Sequence, residues 1–476
     1  MKVLLIQPRP SDVIGYKKTI ATEPLGLEIV AAALKEHDVQ LVDTLFNRDI
    51  SGAVLKYQPD AAGISCSFTV DVYQTLKIAS QIKAAKDDTF IFVGGHHASL
   101  SCEDFYHPAI DAVVIGEGET TAPELLRILE EKGDLNQVSG LVLNTETGQH
   151  FTGGPPLLRS LDNVPFAQRS LTEKYRRHYY LGTRRPLVAV ETSRGCPYQC
   201  NFCSIWRFYG RKMRKMHPER VVDELSLLPP ADTLITDDNF LADVQRADQI
   251  ATLIEKRNLP KRRYIIQARS DTINRYPEVV KKWRKIGLDH IFIGFEKIDQ
   301  EQLDQLNKKN TPENNEKALR FLKSIGVGVY ASFIIDPGFT KEQFQKLFNY
   351  LKKHKITQPQ FSILTPLPGT GLYQDLKNHL TTNNYELFDL FHAVLPTALP
   401  LREFYQEFVN LYKKIYISPE SVFNTSKWFL KKALSFQLSL RHLQNLISGS
   451  RLTVNPLSYL HPAYDAQMKS QLAGKL

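Results

Sequence analysis

The 476-residue chain reads as two α/β units in tandem. A doubly wound parallel sheet comes first, then a partial (βα)6 TIM-like barrel, then a mostly helical C-terminal region. Three observations predict this. Short apolar runs alternate with helical patterns through the first 145 residues. The alternation pauses over residues 146–185 and resumes for six more strand–helix units. The strand runs are apolar throughout, as strands covered on both faces must be. The expected boundaries are 1–145, a linker at 146–185, 186–380 and 381–476.

In the first unit the strands are expected at Val3–Ile6, Val39–Val42, Ala61–Ile64, Phe90–Val93 and Ala112–Ile115, with Leu141–Leu143 as an added edge. Leu25–Leu34, Val70–Lys86 and Thr121–Glu131 carry helical patterns. Such sheets bind ligands outside the carboxyl ends of their strands. The residues there are Ser65, Gly94-Gly95-His96 and Gly116-Glu117-Gly118-Glu119. Glycine lets a large ligand approach the backbone, though it serves an ordinary tight turn equally well. The linker is broken by Gly153-Gly154-Pro155-Pro156 and ends among Arg176, Arg177, Arg184 and Arg185.

In the second unit the strands are Leu187–Val190, Thr233–Ile235, Tyr264–Gln267, Ile291–Ile293, Val327–Ile335 and Phe361–Leu364. Helices fall at Glu219–Leu228, Arg246–Lys256, Pro277–Ile286, Asn314–Ser324 and Lys341–His354. The functional end of a barrel is the carboxyl mouth of its strands. Residues 385–415 are aromatic and punctuated by proline. From Ser421 to Leu446 the pattern is helical, with Trp428, Phe429, Phe436 and Leu440 interleaved with Lys427, Lys431, Lys432 and Arg441.

Sixty basic against 51 acidic residues leave a net charge of +9, a modest excess for this length. It suits a slightly basic soluble surface, with nucleic acid or an anionic membrane face as the sharper readings. With 42% hydrophobic and 23% charged residues, the chain is neither disordered nor a membrane bundle. No apolar run reaches the ~20 residues that cross a bilayer. The opening MKVLLIQPRP is broken too soon by Pro8 and Pro10 to be a secretory signal, so a cytoplasmic protein is expected.

Of five cysteines, Cys66 and Cys102 stand apart, while Cys196, Cys200 and Cys203 fall within eight residues. One tight cluster in an odd count argues for metal ligation over disulfides. The segment is Ser193-Arg194-Gly195-Cys196-Pro197-Tyr198-Gln199-Cys200-Asn201-Phe202-Cys203, directly after a buried strand. Structural zinc needs four ligands, and the fourth would have to be distant, with His217 as the candidate. A [4Fe–4S] cube normally takes four cysteines. Three leave one iron open to an outside ligand, which turns a cluster into a catalyst.

The C-x3-C-x2-C loop after the first barrel strand resembles the signature of the radical S-adenosylmethionine superfamily. The resemblance implies that the open iron binds the amino and carboxylate groups of S-adenosylmethionine. Reductive cleavage of a C–S bond then yields a 5′-deoxyadenosyl radical. It places Phe202 against the adenine and the methionine end near Asp237 and Asp238, within Thr236-Asp237-Asp238-Asn239-Phe240. Gln267 and Arg269 end the third strand, and Glu296 of Gly294-Phe295-Glu296 matches the ribose-binding acidic position. Asp336-Pro337-Gly338 and Pro366-Leu367-Pro368-Gly369-Thr370 end the last two strands.

A doubly wound unit before such a barrel resembles the cobalamin-binding class. Ser65, Gly94, Gly95, His96, Gly116, Glu117 and Glu119 are then the cobalamin candidates. The Asp-x-His-x-x-Gly motif that supplies a histidine beneath cobalt is missing, since no histidine precedes His37. Cobalamin is therefore expected to bind without one. Across nearly the whole chain, SRGCPYQCNFCSIWRFYGRKMRK, FDLFHAVLPTALPLREFY and Glu23-Pro24-Leu25-Gly26-Leu27-Glu28 are similar to the hopanoid C-3 methylases.

This implies methylation of an unactivated sp³ carbon, C-3 of a hopanoid, by methylcobalamin. The implied partners are an apolar small molecule and an electron donor such as a flavodoxin or ferredoxin, with no nucleic acid. Phe388 to Tyr405 is expected to wall an apolar cleft, and the 421–446 helix to touch a membrane or pack on the barrel. A tRNA methylthiotransferase would need three N-terminal cysteines for a second cluster, and only Cys66 and Cys102 precede the triad. A cobalamin-dependent radical enzyme that cyclises or rearranges its substrate, or methylates another natural product, stays open as the alternative.

Overall fold

The structure is a computed structural model and describes residues 1–9, 20–416 and 455–459. The first unit comprises β1 (Lys2–Gln7), β2 (Ile20–Ala21), α1 (Leu25–Ala33), β3 (Asp38–Asp43), α2 (Ile50–Tyr57), β4 (Ala61–Ser65) and α3 (Val72–Ala85). It continues with β5 (Phe90–Gly94), α4 (His96–Leu100), β6 (Ala112–Val114), α5 (Gly118–Glu130), β7 (Leu141–Thr145) and β8 (Gly148–Phe151). Its seven-stranded sheet has the order β3-β1-β4-β5-β6-β7-β8, with β7 and β8 antiparallel.

Both faces of this sheet are covered. Leu4 and Ile6 of β1 join one apolar cluster with α2 and α3, while Val3 and Leu5 join another with α1 and α5. The unbroken apolar run is thus divided, residue by residue, between two cores. Strand order reverses between β1 and β4, and the crevice at that switch point is where ligands bind in doubly wound sheets. Helix α2 was not foreseen. It is only eight residues long, entered at Asp49, whose carboxylate accepts from the Gly52 amide at 2.9 Å, and left at Gln58 with φ +55°.

The second unit follows β9 (Tyr180–Leu181), which pairs with β2. It comprises β10 (Leu187–Val190), β11 (Ser193–Arg194), α6 (Ile205–Phe208), β12 (Arg214–Lys215), α7 (Pro218–Leu227), β13 (Asp232–Ile235), α8 (Val244–Lys256) and β14 (Tyr264–Gln267). Then come α9 (Ser270–Arg275), α10 (Pro277–Ile286), β15 (Leu288–Glu296), α11 (Gln300–Gln305), α12 (Pro312–Ser324) and β16 (Gly328–Ile335). The last elements are α13 (Lys341–Lys353), β17 (Pro359–Ile363), α14 (Gly371–Leu376) and α15 (Leu401–Tyr416). Six parallel strands run in the sequential order β10-β13-β14-β15-β16-β17 and do not close. The partial barrel is as expected.

The linker expected at 146–185 carries no long element, but it is not loose. Strand β8 extends the first sheet, and residues 169–179 run along the open edge of β10. The Leu187 amide donates to the Tyr179 carbonyl at 3.1 Å. Arg169 donates to the Ala189 carbonyl at 2.8 Å, and the Ala189 amide donates to Glu23 at 2.6 Å.

The segment Phe388 to Tyr405 does not wall a cleft. Phe388, His392, Val394, Phe404 and Tyr405 are buried, and the apolar ones belong to the barrel's own core. The reason is the other open edge. The Ile363 amide of β17 donates to the Leu390 carbonyl at 2.7 Å. Tyr412 and Tyr416 of α15 donate to the carbonyls of Phe361 (3.1 Å) and Pro359 (2.7 Å). The helix expected at 421–446 lies outside the described residues. Among the described residues, no helix is long and apolar enough to cross a membrane.

Arg169 is buried among Glu23 (2.6 Å), Glu224 (3.1 Å) and Glu28 (3.8 Å). Burial, then Glu23, raises the Glu28 carboxyl above its ordinary value. Arg169→Met is expected to cost about 3–5 kcal/mol by leaving buried carboxylates unpaired. A carboxyl raised in the native state binds protons there first, so stability falls as pH rises through that window. The loss should therefore be larger near pH 8 than near pH 5, checked by thermal unfolding of both proteins at about those two values.

Candidate functional site

The three cysteines sit in a loop of residues 195–213, closed at its base by β11 pairing with β12. Gly195 takes φ +88°, and a Cβ there would collide with the Lys212 carbonyl, so the turn into the loop requires glycine. The Gly195 amide donates to Asp238 at 3.0 Å. The Thr192 amide and hydroxyl donate to Asp237 at 2.7 and 2.6 Å, and the Ser193 hydroxyl donates to it as well. Asp237 thereby spends its carboxylate on the entry to the loop. Burial, then Asp237, pushes Asp238 up to about 6 against the pull of the Gly195 amide.

Inside the loop, the Cys200 carbonyl accepts from the Cys203 amide at 3.2 Å and from Trp206 Nε1 at 3.0 Å. Asn201 donates through its amide to the Leu306 carbonyl (3.2 Å) and through its side chain to that of Gln305 (2.8 Å). The Asn307 side chain donates to the Gln199 carbonyl at 2.7 Å, and the Leu372 amide donates to that of Asn201 at 3.1 Å. The loop is thus stitched to the segments after β15 and β17. Phe202 packs with Leu306, Ile334, Leu364 and Leu372.

Burial pushes all three thiols up, Cys203 to about 12, and neighbouring thiols add to the rise at Cys196 and Cys203. Lys308 and Arg269 oppose the rise at Cys200. Among the described residues, no three His, Cys, Asp or Glu side chains stand close enough to grip a single ion. The donor set of three soft thiols beside fixed cations suits an iron–sulfur cluster, whose binding would displace the thiol protons.

The cations are themselves held. Arg269 donates to the carbonyls of Lys308 (2.9 Å) and Lys309 (2.7 Å) and stacks 3.6 Å from the Tyr198 ring centroid. Lys308 is buried and pairs with Glu296 at 2.7 Å. Glu296 takes φ +59° where β15 breaks register, and a Cβ on Gly294 would collide with its carboxylate. A buried left-handed glutamate is a strained arrangement of the kind that gathers at working sites. Gln267 is half-buried at the mouth end of β14.

On the first unit, Ser65, Gly94, Gly95 and Gly116 lie at the strand ends as expected. Gly95 and Gly116 have φ +117° and +82°. Three other cobalamin candidates reach across to the cysteine loop. His96 shares a 2.7 Å hydrogen bond with Ser204, the residue after Cys203. Burial lowers its ring to about 4, so it is neutral near pH 7. Glu117 pairs with Arg194 and, through both its oxygens, with Arg214 (2.7 and 2.8 Å). Glu119 also pairs with Arg194. Arg194, Arg214 and Lys308 were not foreseen; their only signal was their place beside the cysteine loop and the β15 turn.

Residues 190–351 match the Radical SAM superfamily and residues 17–126 the B12 binding domain. The hopanoid C-3 methylase of Methylococcus capsulatus is 36% identical over 427 residues, covering 87% of this chain and 81% of that protein. An uncharacterized methyltransferase of Pyrococcus horikoshii is 33% identical, covering 88% and 92%. The chain belongs to the cobalamin-dependent radical S-adenosylmethionine methyltransferases. The structure of the cobalamin-dependent S-adenosylmethionine radical enzyme OxsB, with aqua-cobalamin and S-adenosylmethionine bound, has the same fold (TM-score 0.69, 17% identity, covering 95% of this chain and 79% of that one). The methyltransferase uses a [4Fe–4S] cluster, S-adenosylmethionine and cobalamin.

Replacing Cys196, Cys200 or Cys203 with Ala should abolish the brown absorbance and all S-adenosylmethionine cleavage, whereas Cys66→Ala and Cys102→Ala should keep both. Iron analysis and 5′-deoxyadenosine assay decide it; full iron in Cys200→Ala would rule out the triad. Gly294→Ala should displace the Glu296 carboxylate while sparing the cluster. S-adenosylmethionine binding measured by equilibrium dialysis should weaken about tenfold or more, the loss of roughly one charge-assisted hydrogen bond.

Proposed function

We propose that this methyltransferase adds a methyl group to C-3 of a hopanoid. The observation that carries the reading is the docking of one mouth on the other. The strand ends of the first unit meet the cysteine loop through His96–Ser204 and through Glu117 and Glu119 on Arg194 and Arg214. Two ligands held at those mouths share one space. The identity to the Methylococcus capsulatus hopanoid C-3 methylase supports the substrate.

In this reading Cys196, Cys200 and Cys203 hold the cluster. Phe202, Gln267, Arg269 and Glu296 surround S-adenosylmethionine, with Lys308 fixing Glu296. Asp237 and Asp238 serve it indirectly, by setting the first turn of the loop. Ser65, Gly94, Gly95 and Gly116 let the corrin lie close to the backbone, and His96, Glu117 and Glu119 orient it by fixing the interface. When bound, these cofactors supply a carbon radical that takes hydrogen from an unactivated carbon and a methyl group to replace it. No side chain is needed as a general base, because such a carbon has no acidic proton. The protein positions the reactants and excludes water. A flavodoxin- or ferredoxin-type carrier supplies the electron, and the enzyme works in the cytoplasm at the membrane face where hopanoids lie.

Each methylation would consume two molecules of S-adenosylmethionine, one as the source of the radical and one as the source of the methyl group. Anaerobic reaction with a ring-intact hopanoid should therefore give equal 5′-deoxyadenosine, S-adenosylhomocysteine and methylated product. A labelled methyl group should end on the hopanoid. Methylation of only a polar acceptor would overturn the substrate, and 5′-deoxyadenosine without matching S-adenosylhomocysteine would favour a cyclase.

A further inference from the structure

The two units meet a second time, through residues that take no part in the charged lattice. Tyr385 follows the barrel, in the short helix Tyr385–Leu387. It packs against two cores at once, the barrel's and the one that α2 and α3 form on the first sheet. Its own segment is fixed to the barrel. Leu387 and Phe388 are buried in the barrel core, and the Leu390 carbonyl accepts from Ile363 at the edge of β17.

From that anchorage Tyr385 grips the first unit at three side chains. Its hydroxyl donates to Asp104 at 3.2 Å. Its amide donates to the Tyr73 hydroxyl at 3.4 Å, and its ring stacks on that of Tyr73 with centroids 6.1 Å apart. The His97 ring meets it edge-on at 5.8 Å, and His97 Nε2 shares a 2.9 Å hydrogen bond with the other oxygen of Asp104. Burial, then Asp104, raises the Tyr385 hydroxyl, so it keeps its proton and stays a donor. The turn after β17 also lies close to α4, since a Cβ on Gly369 would stand 2.8 Å from Leu100.

His96 and His97 are neighbours on α4 with separate duties. His96 is bonded to Ser204 of the cysteine loop, and His97 is tied through Asp104 to Tyr385. A single joint leaves a rigid body free to pivot about it, and a second joint on other residues removes the pivot. We propose that Tyr385 is a clasp that fixes the angle at which the two mouths face each other, and that it serves methyl transfer as a positioning residue. It touches no reacting group. The inference rests on the reading that the reaction is shared between the two mouths, and not on which molecule is methylated. Cleavage of S-adenosylmethionine needs the barrel mouth alone, whereas delivery of the methyl group needs both mouths at the right angle. Loosening the clasp therefore separates two outputs that the wild type keeps in step.

The first readout needs no cofactor. Hydrogen exchange is followed in the full chain for the wild type, Tyr385→Ala and Tyr385→Phe. Tyr385→Ala should speed exchange about tenfold not only over residues 97–105 and 382–388 but also over 203–214, in the other joint. Faster exchange confined to the clasp's own two segments would mean a local contact and overturn the proposal. The second readout is coupling in the loaded enzyme offered a hopanoid. In Tyr385→Ala, 5′-deoxyadenosine should form at the wild-type rate while methylated product per 5′-deoxyadenosine falls about tenfold or more. Tyr385→Phe, which keeps the ring, should fall less. Unchanged coupling, or a parallel loss of both products, overturns the clasp. A wild type that methylates no hopanoid overturns the substrate reading alone, and the exchange readout then decides the clasp. Tyr106→Phe is the control. Its hydroxyl donates to the Thr145 carbonyl at 3.1 Å within the first unit, and its loss should change neither readout.

Discussion

An open barrel has two edges, and each edge strand carries backbone groups with no sheet partner. Those groups must be satisfied before they can be buried. In this chain that requirement shapes the segments on either side of the six strands. On β10 the cover comes from Tyr179, Arg169 and Glu23. On β17 it comes from Leu390, Tyr412 and Tyr416. The segment between the two units and the segment after the barrel are therefore edge strips, and neither is free to shape a substrate cleft. Glu23 has a further consequence. It belongs to the first unit yet accepts from the Ala189 amide of β10, so covering the edge also ties the units together.

With the edges closed, the strand mouths are left to carry the cysteine loop. There the cysteine loop is pinned from three directions. Asp237 and Asp238 hold its entry and Glu117 and Glu119 its base strands, the 305–309 segment holds its middle, and His96 holds Ser204 beyond the last cysteine. The charges follow the same logic. Lys308 and Arg269 stand beside the Cys200 thiol and oppose the rise that burial gives it, and Glu296 stands where Lys308 needs an anion.

The barrel strands and most strands of the first sheet were legible because they rest on local signals, apolar runs and glycine breaks. What escaped notice was short or non-local. Helix α2 fills eight residues and leaves Leu55 exposed, which blurs its face. Strand β8 is polar and antiparallel, so it lacks the apolar run that marked the others. Lys308 lies in a Lys-Lys-Asn stretch that reads as solvent-facing, and only the β15 bulge brings Glu296 over it. The aromatic stretch Phe388 to Tyr405 suggests a ligand wall because sequence cannot separate rings that line a cleft from rings that cover an edge. His96, Glu117 and Glu119 were placed at the right end of the right sheet, but whether they face a cofactor or a second unit depends on docking.

That docking combines apolar contacts, such as Ile29 in the barrel core and Tyr385 stacked on Tyr73, with a charged lattice, and the chemistry explains the lattice. Apolar contact alone would be tolerant of sliding and rotation. Arg214 forks onto both oxygens of Glu117, and Arg194 gathers Glu117, Glu119 and Glu191. Forked charge-assisted hydrogen bonds fix angle as well as distance. Three carboxylates against two guanidiniums leave one anion in excess, and burial pushes Glu191 up to about 7, so a proton there balances the cluster near neutrality. In the proposed reaction a radical made at one mouth would have to meet a carbon whose methyl donor is held at the other, and misplacement by about 1 Å can cost such a reaction a hundredfold. Rigid orientation matters more here than tight association. A buried ionic lattice supplies it, at some cost in stability that the covered edges and the two-faced sheet can absorb.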